Sequence, residues 1–246
     1  MDAATLPTLQ TQTNVSELAI AIAAQSLTPS LIAPEFLTSS GVVPGDWEFA
    51  KPPQFNQTQG RLTYKNGLGV VAQPRLVTFA EALSDRRALV APDTARRFAE
   101  RLPNADYQGV SIAPKTLVPF PDAADGPRNF IVGQLLAAGP WQQIGTKPPQ
   151  AAVSLVYQFE RCQLSLTITE VRLRPQNQTA GVPALLFSGS FNYAIVPDSP
   201  PGERLAQLQS AIGNWQDDLV AFADLVQAKF LGKPDNPLFP SGALPT

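Results

Sequence analysis

The side chains able to do chemistry in this sequence are carboxylates, amines, hydroxyls and a thiol, because histidine is absent. Its absence excludes Ser-His-Asp and Cys-His nucleophiles, His-ligated zinc and the usual general base at neutral pH. An enzyme made from this chain would have to work with carboxylates, Lys, Tyr or Ser. Places where such groups stand close together are therefore the candidate sites.

Acidic residues are adjacent or clustered in two places. Asp217-Asp218 lies on a predicted helix, where neighbouring side chains diverge by about 100°, so one of the two faces water beside the apolar stripe. We interpret the pair as a solvated face rather than a paired-carboxylate site. Glu35, Asp46 and Glu48 could converge as a carboxylate site; the enzyme hypothesis for this chain requires convergence among these three and Glu170. The alternative is that these acids only solvate an irregular loop.

Three further patterns resemble sites less closely. Ser188-Gly189-Ser190 does not meet G-x-S-x-G and has no histidine partner, so it does not indicate a nucleophile elbow. Gly67 and Gly69 lie inside a predicted hairpin, which excludes a phosphate-binding loop. Glu170 and Arg172 continue the apolar phase of a strand, so they either mark where it leaves the core or form a buried ion pair.

Cysteine occurs once, at Cys162, in register with leucines of a predicted strand. We interpret it as an inert core residue, with no intramolecular disulfide, no thiolate metal cluster and no cofactor. The residues before Ser16 lack the regions of a secretory signal, and the apolar run from Leu18 to Ala24 is too short to span a bilayer. These features predict a cytoplasmic protein without a membrane span.

Composition predicts a globular protein with a substantial core, since 44% of its 246 residues are hydrophobic and 15% are charged. The formal net charge is −2, and Lys and Arg cluster only in pairs, which disfavours nucleic acid as a partner.

Periodicity predicts strands and helices in both halves of the chain. In the first half, Leu18, Ile20 and Ile22 predict a strand able to add to another chain's sheet edge. Asn66-Gly67 predicts a type I′ hairpin between strands at about 60–65 and 68–73, before a strand at about 75–81 and a helix over 92–102.

The second half repeats this order of elements. A helix is predicted over 127–138, followed by two strands joined near Glu160-Arg161 and a central strand around Leu185 to Phe187. A single apolar stripe through 205–226 predicts one long helix over 203–231.

These elements predict an α+β fold with antiparallel sheets covered by helices and a long C-terminal helix. The fold could consist of two duplicated β-β-β-α units. The predicted divisions are a tail at 1–14, an N-terminal α+β half at 15–126, a C-terminal α+β half at 127–232 and a Pro-rich tail at 233–246.

Large aromatics are the candidate interaction residues. In the irregular stretch 31–53, Phe36 and Trp47 either anchor the loop to the body or, together with Asp46, form a docking surface.

Three more aromatics lie outside that stretch. Trp141 either anchors a helix end or forms a ligand platform, and Trp215 belongs to the core or to a helix-helix dimer contact. Phe239 is the candidate in the Pro-rich tail, which could reach a partner.

The amino-acid sequence over about 27–231 resembles an uncharacterised, chiefly cyanobacterial group of bacterial proteins. The stretches that carry the resemblance are LTPSLIAPEFLTSSGVVPGDWEFA, NGLGVVAQP, LPNADYQGVSIAP, GPW, LLFSGSFNY and NWQDDLVAFADLVQAKFL. The resemblance implies a cytoplasmic bacterial protein and carries no functional residues with it.

The first functional hypothesis is a non-catalytic subunit or adaptor that binds a protein partner or forms a homo-oligomer. The alternative is a small-molecule-binding module with an apolar pocket lined by Trp47, Trp141, Tyr64 and Tyr193. An enclosed cavity of several hundred Å³ would distinguish the second from the first.

Overall fold

Nine strands pair in one antiparallel sheet in the computed structural model, which describes residues 15–83, 89–173 and 181–232. The strands are β1 (Val15–Ala24), β2 (Phe49–Phe55), β3 (Gly60–Tyr64), β4 (Leu68–Gln73), β5 (Leu76–Ala82), β6 (Tyr107–Pro119), β7 (Ala152–Gln158), β8 (Gln163–Leu173) and β9 (Val182–Ala194). Their order across the sheet is β2-β3-β4-β5-β1-β6-β9-β8-β7. The predicted α+β class with an antiparallel sheet is confirmed.

Five α-helices and four 3-10 or π turns are the other elements of the described residues. The helices are α1 (Pro34–Ser39), α2 (Ala91–Glu100), α3 (Gly126–Phe130), α4 (Pro201–Gly213) and α5 (Trp215–Asp224), with 3-10 turns at Pro29–Ile32 and Pro140–Gln143 and π turns at Ile131–Leu135 and Leu225–Phe230. Proline occupies one of the first two positions of α1 to α4 and of both 3-10 turns. Its fixed φ favours a helix start, which explains part of the high proline content.

The segment predicted as one long helix consists of α4, α5 and the second π turn. Asn214 separates the two α-helices, with φ −78° and ψ 0°. Gly213 and Asn214 are weak helix formers placed together, so the apolar stripe continues through a point where regular hydrogen bonding is interrupted.

Strand β1 lies inside the sheet, where it pairs with β5 on one side and β6 on the other. The expectation that this strand adds to another chain's sheet edge is therefore wrong. Among the described strands, the outermost are β2 and β7, each with one unpaired edge. The sheet is also continuous between the two predicted halves, 15–126 and 127–232, because β6 of the first half pairs with β9 of the second.

The hairpin between β3 and β4 has a three-residue loop, Lys65-Asn66-Gly67, instead of the predicted type I′ turn. Gly67 donates its amide to the Tyr64 carbonyl and has φ +98°, whereas Asn66 is not in the left-handed region. A three-residue loop needs positive φ only at its last residue, and glycine adopts it without strain.

Side chains alternate between two different faces of the sheet. One face, here called the covered face, packs against the helices and carries fully buried residues such as Ile20, Phe79, Ile112, Phe187 and Leu166. The opposite face, here called the bare face, carries half-buried side chains along the central strands. The hydrophobic core therefore lies entirely between the covered face and the helices.

Helix α2 is fixed to the sheet at both ends by polar side chains of the covered face. At its start, Glu81 Oε2 accepts the amides of Val90 (2.8 Å) and Ala91 (3.1 Å). At its end, the Tyr107 hydroxyl lies 3.0 Å from the carbonyl oxygens of Ala99 and Leu102. Both contacts satisfy backbone groups that a helix end otherwise leaves unpaired.

None of the helices in the described ranges is long and apolar enough to cross a membrane. The predicted tails at 1–14 and 233–246, including Phe239, lie outside the described residues.

Candidate binding surface

The bare face is defined by the central strands β5, β1, β6, β9 and β8. Most of its side chains are small or carry a hydroxyl or amide group: Ala19, Ala21, Ala23, Thr78, Ala80, Ser111, Ala113, Ser188, Ser190, Asn192, Ser165 and Thr167. They follow from alternation, since the intervening residues of these strands are mostly large apolar residues of the covered face. The result is a low, even surface that no described helix covers.

Charge on the central strands of this face is confined to one ion pair. Lys115 Nζ lies 2.7 Å from Glu17 Oε1, and the two residues are register partners on β6 and β1. At the same end of the face, Leu117 of β6 is paired with Leu186 of β9. The face therefore combines neutral hydrogen-bonding groups with one compensated ion pair and an apolar end.

Asn192 is the centre of a hydrogen-bond network on the bare face. Its Oδ1 accepts the hydroxyls of Ser111 and Ser190, both at 2.9 Å, and its Nδ2 lies 3.5 Å from Ser165 Oγ and 3.4 Å from the Gln163 carbonyl. A shallow depression of about 400 Å³ lies here, bordered by residues including Ala21, Ala23 and Ser111. Its hydroxyls and amide suit hydrogen bonding, and the contacts of this network include no base that would activate serine.

A second polar cluster joins α5 to the sheet on the covered side. The Tyr193 hydroxyl donates to Asp218, lying 2.8 and 3.0 Å from the two carboxylate oxygens, and Arg161 Nη2 donates to Oδ1 at 2.7 Å. Burial raises the pKa of Asp218 and of the Tyr193 hydroxyl, and it also raises the pKa of the adjacent Cys162 thiol.

This cluster has the composition of a catalytic site, but a substrate cannot reach its carboxylate. The Asp218 side chain is completely buried, and both its oxygens accept hydrogen bonds from Tyr193 or Arg161. A substrate could not contact the carboxylate without displacing Tyr193 or Arg161. We interpret the cluster as a tether between α5, β9 and the β7–β8 turn.

The structure separates the two adjacent acids that the sequence presented together. Asp217 is solvated as predicted, with 75% of its side chain exposed, whereas Asp218 is buried. A sequence signal did exist, since Asp218 lies three residues after Trp215 and four before Phe222, in phase with the apolar stripe.

The other sequence candidates lie in different parts of the molecule. Glu170 forms its ion pair with Arg128 (3.2 Å) and not with Arg172, which is exposed. Glu35 is exposed on α1, while Asp46 and Glu48 border a depression of about 250 Å³ in which Glu48 pairs with Lys65. No three acidic or thiol side chains among the described residues form a metal-binding group.

The aromatic candidates differ in their degree of burial. Phe36, Trp47 and Trp215 are half-buried and pack against the core, and Trp47 meets the Tyr64 ring edge-on with centroids 5.5 Å apart. Trp141 is 39% exposed. Trp47 and Tyr193 border two different depressions, so the four aromatics of the predicted pocket do not surround one cavity.

Tyr64 gives a testable pH dependence, because its hydroxyl is buried without a hydrogen-bond partner among the described residues. Burial raises its pKa to about 12, above the value of about 10 in an unfolded chain. The stability that this raised pKa contributes to the folded state is therefore fully present below pH 10 and is lost as the pH rises towards 12. We expect the free energy of unfolding of Tyr64→Phe to be about 1 kcal/mol higher than that of the wild type at pH 7. Between pH 10 and 12 the variant should lose less stability than the wild type.

Urea denaturation of both proteins at pH 7 and at several pH values up to 12 measures this difference. The remaining tyrosines stay in both proteins and provide the internal control. Equal alkaline losses of stability in wild type and variant would contradict the assignment to Tyr64.

Comparison with known proteins adds no family. A scan against protein-family models matches none, and a search of the curated proteins finds no match.

Proposed function

We propose that this chain is a non-catalytic protein-binding subunit of a bacterial complex and that the bare face is its partner-binding surface. The observation that carries this proposal is the small, nearly uncharged side-chain set of the central strands. A sheet face that only meets water usually carries long polar and charged side chains. Here Ala19, Ala21 and Ala23 line its strand β1, which suits close approach of another surface.

The dimensions of the bare face support a protein partner. Five strands about 4.8 Å apart, taken over about seven consecutive residues at 3.3 Å each, span roughly 24 by 23 Å, or about 550 Å². The outer strands extend this area towards the roughly 800 Å² that each partner contributes to a standard interface. The hydroxyls of Ser188, Ser190 and Ser165 supply hydrogen bonds across such a contact.

The fold also supports an origin by duplication, which we propose as the reason for the size of the sheet. The series β1-α1-β3-β4-β5-α2 has the same order as β6-α3-β7-β8-β9-α4. In the sheet, β5, β4 and β3 follow outward from β1 as β9, β8 and β7 follow outward from β6. An approximate two-fold axis between β1 and β6 would relate these halves, with β2 as an addition to the first.

A binding experiment tests the proposed surface. Tagged wild-type protein, Ser190→Arg and the control Gln216→Arg, on the exposed side of α5, would be recovered gently from extract of the source cell and measured by native mass spectrometry. We expect a fixed-stoichiometry complex with the wild type and the control, reduced at least tenfold by Ser190→Arg, because a long charge prevents close approach to the face.

Amine labelling locates the contact independently of the variants. Lys115 lies on the bare face and Lys229 on the opposite, helical side. We expect acetylation of Lys115 to fall in the complex while Lys229 reacts as before. A complex that Ser190→Arg leaves intact, with Lys115 still reactive, would contradict binding through the bare face.

A polar small molecule is the second candidate, supported by the depression beside Asn192. It predicts that the purified chain carries a small added mass that Asn192→Ala removes, whereas Gln216→Arg retains it. The resemblance to chiefly cyanobacterial proteins supports a cytoplasmic bacterial setting for either function.

A further inference from the structure

The two free edges of the sheet differ in how they are protected from further strand pairing. Edge strand β2 contains Lys51, Pro52 and Pro53, and its register with β3 shifts twice within seven residues. Charge, proline and irregular pairing are the usual devices that prevent edge-to-edge association. The β2 edge is therefore closed to a further strand.

Edge strand β7 has none of these devices. Its seven residues, AVSLVYQ, include no charge and no proline, and they pair with β8 without a register shift. The Phe159 amide donates to the Cys162 carbonyl at the hairpin end. Because hydrogen-bonded positions alternate in an antiparallel pair, the backbone groups of Ser154 and Val156 point away from β8.

The internal repeat indicates that this edge lacks a neighbour. Strands β3 and β7 hold equivalent positions in the two halves, and the outer edge of β3 is covered by β2. Among the described residues, no strand covers the outer edge of β7. This comparison rests on the duplication inferred above.

Exposed apolar side chains are concentrated in β7, its turn and the segment that precedes β7 in the chain. Of seven large apolar side chains exposed in the described ranges, Val156 (60%) and Phe159 (47%) lie in β7 or its turn, and Trp141 (39%) and Ile144 (76%) lie just before it. Gln142 Nε2 donates to the Val132 carbonyl at 3.0 Å, which ties this segment to the π turn that packs on β7. Such a concentration is typical of a protein interface.

We propose that β7 pairs antiparallel with β7 of a second copy, around a two-fold axis through Leu155. This register opposes Ser154 with Val156 and Val153 with Tyr157 of the other copy, so no charged residues meet and apolar residues pair on the covered side. All outward backbone groups of the strand find partners. The two nine-stranded sheets become one, and both bare faces lie on the same side.

A proline substitution tests the pairing with little effect on the monomer. Val156→Pro removes an amide that points to the free edge, while its matched control Val156→Thr keeps that amide and the strand propensity. By native mass spectrometry and sedimentation, we expect the wild type and the control to be dimers of the 26.3 kDa chain. Val156→Pro should weaken dimerisation more than about 30-fold, since two backbone hydrogen bonds are lost.

A pair of charge variants tests the register and does not depend on proline being tolerated. Ser154→Lys with Val156→Lys opposes like charges across the two-fold axis, whereas Ser154→Lys with Val156→Glu opposes unlike charges. We expect the first double variant to be monomeric and the second to remain dimeric. Hydrogen exchange should show slow amides at Ser154 and Val156 only in the dimeric proteins.

Failure of this proposal is distinguishable from failure of the proposed function. A monomeric wild type, or a dimer that both Val156→Pro and the double lysine variant leave intact, overturns pairing through β7. Neither result concerns Ser190→Arg on the bare face, which tests the partner surface alone.

Discussion

Replacing Asp218 with alanine should lower the free energy of unfolding by about 3 kcal/mol, whereas Asp217→Ala should change it by less than about 0.5 kcal/mol. Asp218→Ala leaves the buried Tyr193 hydroxyl without its acceptor and releases Arg161. Asp217 is solvated and only 3.8 Å from Arg161 at its closest, in an exposed pair of little value. Urea denaturation followed by circular dichroism measures both changes.

The conservative variant Asp218→Asn separates hydrogen bonding from charge. It retains an acceptor for Tyr193 and should recover about half of the loss. Equal stabilities of Asp217→Ala and Asp218→Ala would contradict the assignment of the tether.

Gly189→Ala should cost about 1–3 kcal/mol, because β9 and α5 approach each other closely at this position. A Cβ at Gly189 would lie 2.8 Å from two carbons of the fully buried Phe222 ring and 3.4 Å from Pro114 Cγ. Gly69→Ala is the matched control on another strand, since its Cβ would meet only the Ala80 carbonyl, at 3.6 Å. Thermal and urea unfolding should separate the two alanine variants clearly.

A second substitution identifies the cause of the Gly189 effect. Phe222→Leu shortens the side chain that the new methyl meets, so Gly189→Ala should cost at least 1 kcal/mol less in that background than in the wild type. Additive losses in the double variant would show that the methyl group destabilises the protein in some other way.

Local pattern predicted most elements of this fold. The alternation in β7 and β8 and the amphipathic spacing of α2 each depend on residues a few positions apart. The turn between the two strands lies near Glu160-Arg161, as predicted, and α2 lies close to its predicted bounds. Strand order could not be predicted in this way, because alternation tells which side chains share a face and not which strand lies next. The interior position of β1 and the exposed edge of β7 are consequences of that order.

In the candidate site too, local pattern predicted some features and could not predict others. Alternation in β1 predicted the strand itself, and the small residues between Leu18, Ile20 and Ile22 form part of the bare face. The burial of Asp218 was missed because the residue was judged by its charge, whereas its position in phase with the apolar stripe indicated burial. Its partners, Tyr193 and Arg161, are 25 and 57 residues away in sequence, so no local pattern could have predicted them.

The interior position of β1 also bears on how the protein folds during synthesis. This strand precedes both its neighbours along the chain, and its contacts with β6 reach a separation of 99 residues at the bond from Ser16 to the Lys115 carbonyl. Such long loops close slowly, so the joining of the two halves is expected to be a late step in folding. Until β6 has been synthesised, β1 remains an apolar strand with an unpaired edge, which exposes the nascent chain to aggregation.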